Sequence, residues 1–469
     1  TPTGPVDPAV GGDPVWDQST TQYNSFGQPV QLWPGDPSAG SGTARYVAGT
    51  GFDDLGRVTS RTLALATTGD ALQRAYGYNT STGVLDTITA GWTTVGGTPA
   101  TWFQNDVVAR DAIGNVTSVT DNGLEPSGTA SSVKECFLYD TRNRLVRAHS
   151  AAPAAACATS TAAATVATGT LDAYDQTWTF DDINRITSRT DKLTGTATGF
   201  AYTGSKHAVV GLSGGTTATY GYNAVGAMTS RDGTTLTYDS QQRLTGYGTV
   251  ESYLYGVSNQ RLVRTAGTTR TLYLPGMEVT DAAGTVTVTK WVTIGGTTVG
   301  TKTVPAGGTA SVAWNCGSLQ NNVVCQAPAA SAGTIPARKR YRPYGDERNT
   351  VTLSTTDHGF LNQPEDTTGL TYLNNRYYDP GLGNFTSVDP LVGKTGTPYL
   401  YAAGNPATLS DPSGLCWWDL CIAESLLAEY VTGVVVAGLS GVLLAECLKN
   451  CSFSIDSPGS PQAAAAKCQ

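Results

Sequence analysis

The chain has 469 residues, a formal net charge of −8 and 14% charged residues, against ~25% in an average soluble domain. Its one short basic run is ARKRYR (337–342), so nucleic-acid binding is disfavoured and the run reads as a solvated strand end. Gly at 55, Tyr at 22 against Phe at 9, and Met at 2 favour short strands and tight turns over helices. The 39% of hydrophobic residues is enough for a core, which excludes a wholly disordered chain.

Residues 1–20 open with TPTGPVDPAVGGDP and read as a linker, with no starting Met and no signal peptide. The chain is therefore expected to be a fragment or processed piece of a longer protein. From Tyr23 to residue 303 one unit recurs: an aromatic, then Asp or Asn, two residues, often Gly, then an alternating stretch. It begins at Tyr23, Phe52, Tyr78, Tyr139, Phe180, Tyr222 and Tyr238, with a variant at Arg110, at spacings of 16 to 42 residues. The aromatic is predicted to end one strand, the Asx side chain to cap the turn, and Gly to supply a positive φ. The alternating residues that follow can bury one face. Each unit is thus a β-hairpin, too small to be stable alone, and many must join into one antiparallel sheet that twists and coils. The fold class read here is all-β: a spiralling hairpin sheet forming a partial hollow shell.

Residues 151–169 read as an Ala/Thr loop and 304–337 as a Pro/Gly/Ala-rich insertion. No convincing long helix precedes residue 420. Cys316/Cys325 and Cys136/Cys157 are candidate disulfides, which would suit a secreted protein. The three His, at 149, 207 and 358, form no ligand pair at helical spacing, and the nine Cys show no CxxC pattern. No metal, cofactor or catalytic triad is expected.

Residues 338–415 carry the most specific pattern. The repeat YDxxGRLxxxT resembles the YD repeat of the RHS (rearrangement hot spot) family, related to the Tc-toxin cocoon and the teneurin YD shell. RYRPYGDERN (340–349), FLNQPEDTTGLTYLNNRYYDPGLGNFTSVDPLVG (360–393) and YLYAAGNPATLSDPSGL (399–415) are similar to that family's repeat-associated core domain. The resemblance spans about residues 20–415. It implies a cocoon that encloses a variable C-terminal polypeptide, commonly a toxin, with the core plugging one end. It also implies a delivery module N-terminal to this piece and a secreted or cell-surface location in bacteria.

In several relatives the core cuts its own chain after DPxGL with paired aspartates. Here Asp389-Pro390 and Asp411-Pro412-Ser413-Gly414 keep the family's spacing, with residues 393–410 between Val392 and Asp411. Val392 stands where Gly is expected, and Val388 where some relatives have Arg; Arg376 is a candidate substitute for that charge. The resemblance assigns Asp389 and Asp411 as catalytic and Leu415–Cys416 as the bond cut. Two carboxylates suit such work because one can take a proton from water while the other protonates the carbonyl. Read locally, Asp-Pro-Ser-Gly is simply a good type I turn. Asp379 reads as a turn cap, and Tyr377 and Tyr378 as core packing.

Residues 416–469 change character: Tyr430 to Ala445 is almost continuously apolar, short of the ~20 residues of a membrane helix. It is expected to be enclosed cargo, as a buried helix or, less simply, a segment (430–445) that contacts a membrane. The only enzymology expected is this self-cleavage. The competing reading is a non-cleaving YD-repeat surface protein for adhesion or carbohydrate binding.

Overall fold

The structure, a computed structural model, describes residues 19–35, 44–164, 171–256, 260–353 and 355–415, plus the backbone of two paired two-residue strands, Cys451–Ser452 and Lys467–Cys468. The linker to residue 18, Cys416 and the apolar stretch 430–445 lie outside the described residues. Twenty-six strands, from β1 (Ser19–Tyr23) to β26 (Val323–Pro328), form one sheet. Each pairs antiparallel with the next in sequence. β1 and β26 do not pair with each other among the described residues, so the sheet is coiled but not closed.

The coiling has a local cause in the repeat. Strands end on the repeat aromatic, as at Tyr23, Phe52, Tyr78 and Phe180. The register slips at that residue: Gly51 faces Ser60 but Phe52 faces Val58, so Thr59 is the extra residue of a bulge. The same slip recurs at Tyr23, Tyr78, Phe180, Tyr222 and Tyr238. A bulge bends its strand and steepens the right-handed twist, and repetition accumulates that bend along the sheet.

The turn itself is fixed by the Asx side chain. Asp181 Oδ1 accepts the N–H of Ile183 at 3.1 Å and of Arg185 at 2.9 Å, while Arg185 Nε donates to Oδ2 at 2.6 Å. Asn184 sits at φ 65°, the place Gly takes at Gly56 with φ 78°. The arginine then reaches forward: the Arg185 guanidinium lies 4.5 Å from the Tyr202 ring centroid. Arg57 over Tyr78, Arg144 over Phe180 and Arg243 over Tyr255 repeat this contact. Each of three tyrosines also donates its hydroxyl to the preceding hairpin, Tyr78 to Val58 O, Tyr202 to Ile186 O and Tyr255 to Leu244 O. One turn is thereby clamped to the next.

Tyr202 and Tyr255 end strands in the same way, adding two units to those read from the sequence. Residues 304–337 differ from the expected insertion: they contain Ser311–Gly317 and β26, which continue the sheet. Their composition hid them, since Ala and Gly have low strand propensity until neighbours pack on them.

Two cores result. In one, Leu32, Val47, Leu63, Leu72 and Ala90 from the start of the sheet pack against Val292, Ile294, Val299, Trp314 and Ala327 from its end. The coiled sheet thus meets itself face to face. In the other, the inner faces of strands between residues 145 and 253 pack on Tyr344, Phe360, Tyr372, Tyr377, Tyr378, Phe385 and Tyr401 of the core segment. Tyr377 and Tyr378 are 4% and 0% exposed; they are packing residues. The run ARKRYR is corrected as well: Arg338 is buried and pairs with Asp121 at 2.7 Å and Glu125 at 2.9 Å. Arg340 pairs with Asp172 at 3.0 Å, so the run ties the core segment to the shell wall.

Candidate functional site

The core segment folds as a short three-stranded sheet, β27 (Thr371–Leu373), β28 (Arg376–Asp379) and β29 (Asn384–Phe385), followed by a one-turn helix α1 (Val392–Thr395). All four residues of β28 are buried. Asp379 at its end accepts the Gly381 N–H at 3.0 Å, as a turn cap does, and pairs with Arg231 at 2.7 Å. Arg376 at its start points to the two aspartates.

Asp389 and Asp411 are brought together around that arginine. Arg376 Nη2 lies 3.5 Å from Asp389 Oδ2 and 3.2 Å from Asp411 Oδ2, with all three side chains 3% exposed or less. Arg376 Nε donates to Gly414 O, and its guanidinium lies 3.6 Å from the Phe385 ring centroid. Burial lowers the Arg376 pKa, and the two aspartates oppose that shift. A guanidinium between two carboxylates offsets their mutual repulsion, which two bare aspartates at close range would feel in full.

Asp411 sits in a turn of the repeat's own kind. Asp411 Oδ1 accepts the Leu415 N–H at 2.9 Å, and Gly414 N–H donates to Asp411 O at 3.3 Å with Gly414 at φ 69°. That is the pattern by which Asp181 holds Arg185 and Asn184. DPSGL is therefore a turn and a carboxylate site at once. Ser413 Oγ adds a bond to Oδ1 at 3.2 Å. Asp389 Oδ1 accepts the Leu391 N–H at 2.7 Å, and Thr395 Oγ1 donates to Oδ2 at 2.9 Å from α1.

The off-pattern valines have places. Val392 opens α1, where its φ needs no glycine; the left-handed residue comes later, at Gly396, φ 68°. Val388 packs against the repeat turn at Gly226. Arg376 is the positive charge that lies beside both aspartates. Thr395 and Tyr401, whose hydroxyl takes the Asp411 N–H at 3.3 Å, were not singled out from the sequence. Burial pushes the Tyr401 hydroxyl well above its ordinary pKa, so it stays a neutral partner.

The remaining site residues are placed as follows. Cys136 is joined to Cys157, and Cys316 to Cys325, with Cα–Cα distances of 5.5 and 5.0 Å. Leu415 is the last residue described before the tail. A separate ionic cavity of about 140 Å³ lies beside Asp106, Asp121, Glu135 and Arg338. Burial and then Asp121 raise the Asp106 carboxyl to about 7, against Gln104 and Arg338. No helix among the described residues is long and apolar enough to cross a membrane.

Comparison with known proteins adds a fold and a set of relatives. No known family profile matches the chain. It is 27% identical to toxin subunit YenC2 of Yersinia entomophaga over 36% of this chain and 20% of that protein. It is 33% identical to toxin subunit YenC1 of the same organism over 18% of this chain and 9% of that one. The chain thus spans a fifth or less of these relatives. Among solved structures, TcdB2-TccC3 without its hypervariable C-terminal region superposes with a TM-score of 0.68 at 17% identity. That match covers 85% of this chain and 20% of the other. A Photorhabdus luminescens Tc holotoxin pore gives 0.65 at 17%. The fold is that of the Tc-toxin shell, and the sequence likeness to Tc toxin subunits supports a place among RHS/YD-repeat shells.

Proposed function

We propose that this chain is part of a secreted RHS-type shell that encloses a C-terminal polypeptide and frees it by cutting its own chain after Leu415. The observation that carries this is the convergence of Asp389 and Asp411 on Arg376, with the Leu415 amide held by Asp411. One carboxyl takes a proton from water as the water oxygen bonds to the Leu415 carbonyl carbon. The other protonates the carbonyl oxygen, and the C–N bond to Cys416 then breaks with the proton passing to the new amine. Arg376 positions both carboxyls, and its bond to Gly414 O holds the loop next to them.

Residues 416–469 are the content in this reading. A TccC3 carries a hypervariable C-terminal region by name, and here composition changes abruptly after DPSGL. The two disulfides suit an oxidising, extracellular setting. Assembly with further subunits, among them an N-terminal delivery module, is part of the same proposal. The test is a denaturing gel of the purified chain beside Asp411→Asn. A released C-terminal fragment in the wild type alone is expected. A wild type that stays whole overturns the self-cleavage reading and leaves an uncut shell, and a fragment that persists in Asp411→Asn overturns it by showing a cut that does not use Asp411.

A further inference from the structure

Away from the aspartate site, the core segment touches the shell wall through a second cluster. Glu278 lies on the strand Met277–Ala282, and Asp357 and His358 lie some 80 positions later, in the core segment. One ligand atom from each of the three falls within 4.8 Å of the others. We propose that Glu278, Asp357 and His358 bind one divalent transition-metal ion of the Zn²⁺ class, pinning the core segment to the wall.

The imidazole is set up for this. His358 Nδ1–H donates to the Asn362 carbonyl at 2.9 Å, and Nε2 faces Glu278 Oε1 at 3.1 Å as a hydrogen bond whose Nε2 proton a metal ion would replace. A backbone carbonyl on the far nitrogen is the usual support of a metal-binding histidine. The ring is further fixed by Trp291, whose ring centroid lies 4.3 Å away. Asp357 Oδ1 is a buried oxygen with no hydrogen-bond partner, the kind of atom a cation would satisfy.

Charge points the same way. Asp357 Oδ2 is 3.7 Å from Arg264, but that guanidinium already holds Glu251 at 2.8 Å and Asp366 at 3.3 Å, and Asp366 also takes Arg261 at 2.7 Å. In this connected set four carboxylates (Glu251, Asp366, Asp357, Glu278) face two guanidiniums and the His358 ring, at most three positive charges, and a divalent ion in place of the Nε2 proton would balance them. One imidazole with two carboxylates suits Zn²⁺ and its neighbours better than Ca²⁺ or Mg²⁺. The Asp357 side chain is 27% exposed, which leaves a path for the ion and room for a water as fourth ligand.

The test uses the full chain with its free thiols alkylated, stripped with EDTA and titrated with Zn²⁺ by calorimetry and metal analysis. The wild type is expected to take up one more Zn²⁺ per chain than Glu278→Gln or His358→Ala, with affinity in either variant down by roughly tenfold or more. Co²⁺ in the same site is expected to give d–d bands without a thiolate charge-transfer band. Melting in EDTA checks that the variants fold. Should His358→Ala fail to fold, Glu278→Gln decides, because it keeps the shape and a hydrogen bond to His358. Equal uptake and affinity in wild type and Glu278→Gln, or no uptake at all, would overturn the proposal and leave the triad as an ion pair.

Discussion

Replacing Asp181 tests the turn that builds the shell. Asp181→Ala removes the acceptor of two backbone amides, at 3.1 and 2.9 Å, together with the 2.6 Å ion pair to Arg185. Bonds from an amide to a buried charge are worth roughly 1.5–3 kcal/mol each. The carboxylate is 23% exposed, so water recovers part of that, and a net loss of about 2–3 kcal/mol is expected. Asp181→Asn keeps the Oδ1 acceptor and loses only the partly exposed ion pair, about 0.5 kcal/mol. The chain makes this comparison internally. Asn24 and Asn223 cap turns whose fifth residue is Gln28 or Ala227, whereas Asp53, Asp140, Asp181 and Asp239 each face an Arg at that place.

The assay for Asp181 is amide hydrogen exchange at Ile183 and Arg185, with chemical denaturation alongside. Protection lost in the Ala variant and kept in the Asn variant is expected; equal loss in both would refute the cap. The pH arm has a definite sign. Burial acts to raise the Asp181 pKa, but the Arg185 N–H, its guanidinium and the Ile183 N–H outweigh it and hold the group below its ordinary value. Its stabilisation is therefore present above the unfolded pKa of ~3.9 and fades as pH falls through the lower folded value. Asp181→Asn is expected to lack that acid-limb loss.

Arg376→Ala would leave two aspartates, each 1% exposed, without their shared counter-charge; a destabilisation of about 3–5 kcal/mol in thermal or urea unfolding is expected. Arg376→Lys should fold but lose the paired Nε and Nη2 contacts, and a time course on gels should show slower appearance of the fragment. Gly414→Ala sets a Cβ 2.5 Å from Leu373 O and 3.0 Å from Arg376 N at a φ of 69°. A loss of roughly 1–2 kcal/mol and a looser DPSGL loop, read by exchange at Leu415, are expected. Asp106 folds with its carboxyl raised to about 7, so the native state binds a proton that the unfolded chain releases near pH ~4. Stability is therefore expected to decline from about pH 4 to pH 7 through this group and to level off above. Asp106→Asn should flatten that slope and melt higher than wild type at pH 8.

The repeat was legible because its signals are local: an aromatic, an Asx cap and a positive-φ residue within five positions. The units ending at Tyr202 and Tyr255 were not, since Thr203 and Gly256 follow where Asx is looked for. The strands within 304–337 were hidden by Ala and Gly, which gain strand character only from the Trp314 and Ala327 packing. ARKRYR looked solvated because its partners Asp121, Glu125 and Asp172 stand more than 160 residues away. At the aspartate site, the family resemblance and the spacing it carries pointed to Asp389 and Asp411, and Arg376 could be named as a candidate. Thr395 and Tyr401 could not, because a one-turn helix and a buried hydroxyl leave no pattern. The Glu278–Asp357–His358 cluster combines residues from the wall and the core segment, so helical ligand spacing could not reveal it.

The self-cleavage account rests on one bond, and the mass of the purified chain reports on it directly. Intact mass spectrometry of wild type under denaturing conditions should find two species. One should end at Leu415, the other begin at Cys416, and their sum should exceed the single chain by one water. Asp389→Asn should give the single chain. A wild-type chain at full mass, or a cut elsewhere, would contradict the assignment of Asp389 and Asp411 as the pair that divides DPSGL from CWWDLC.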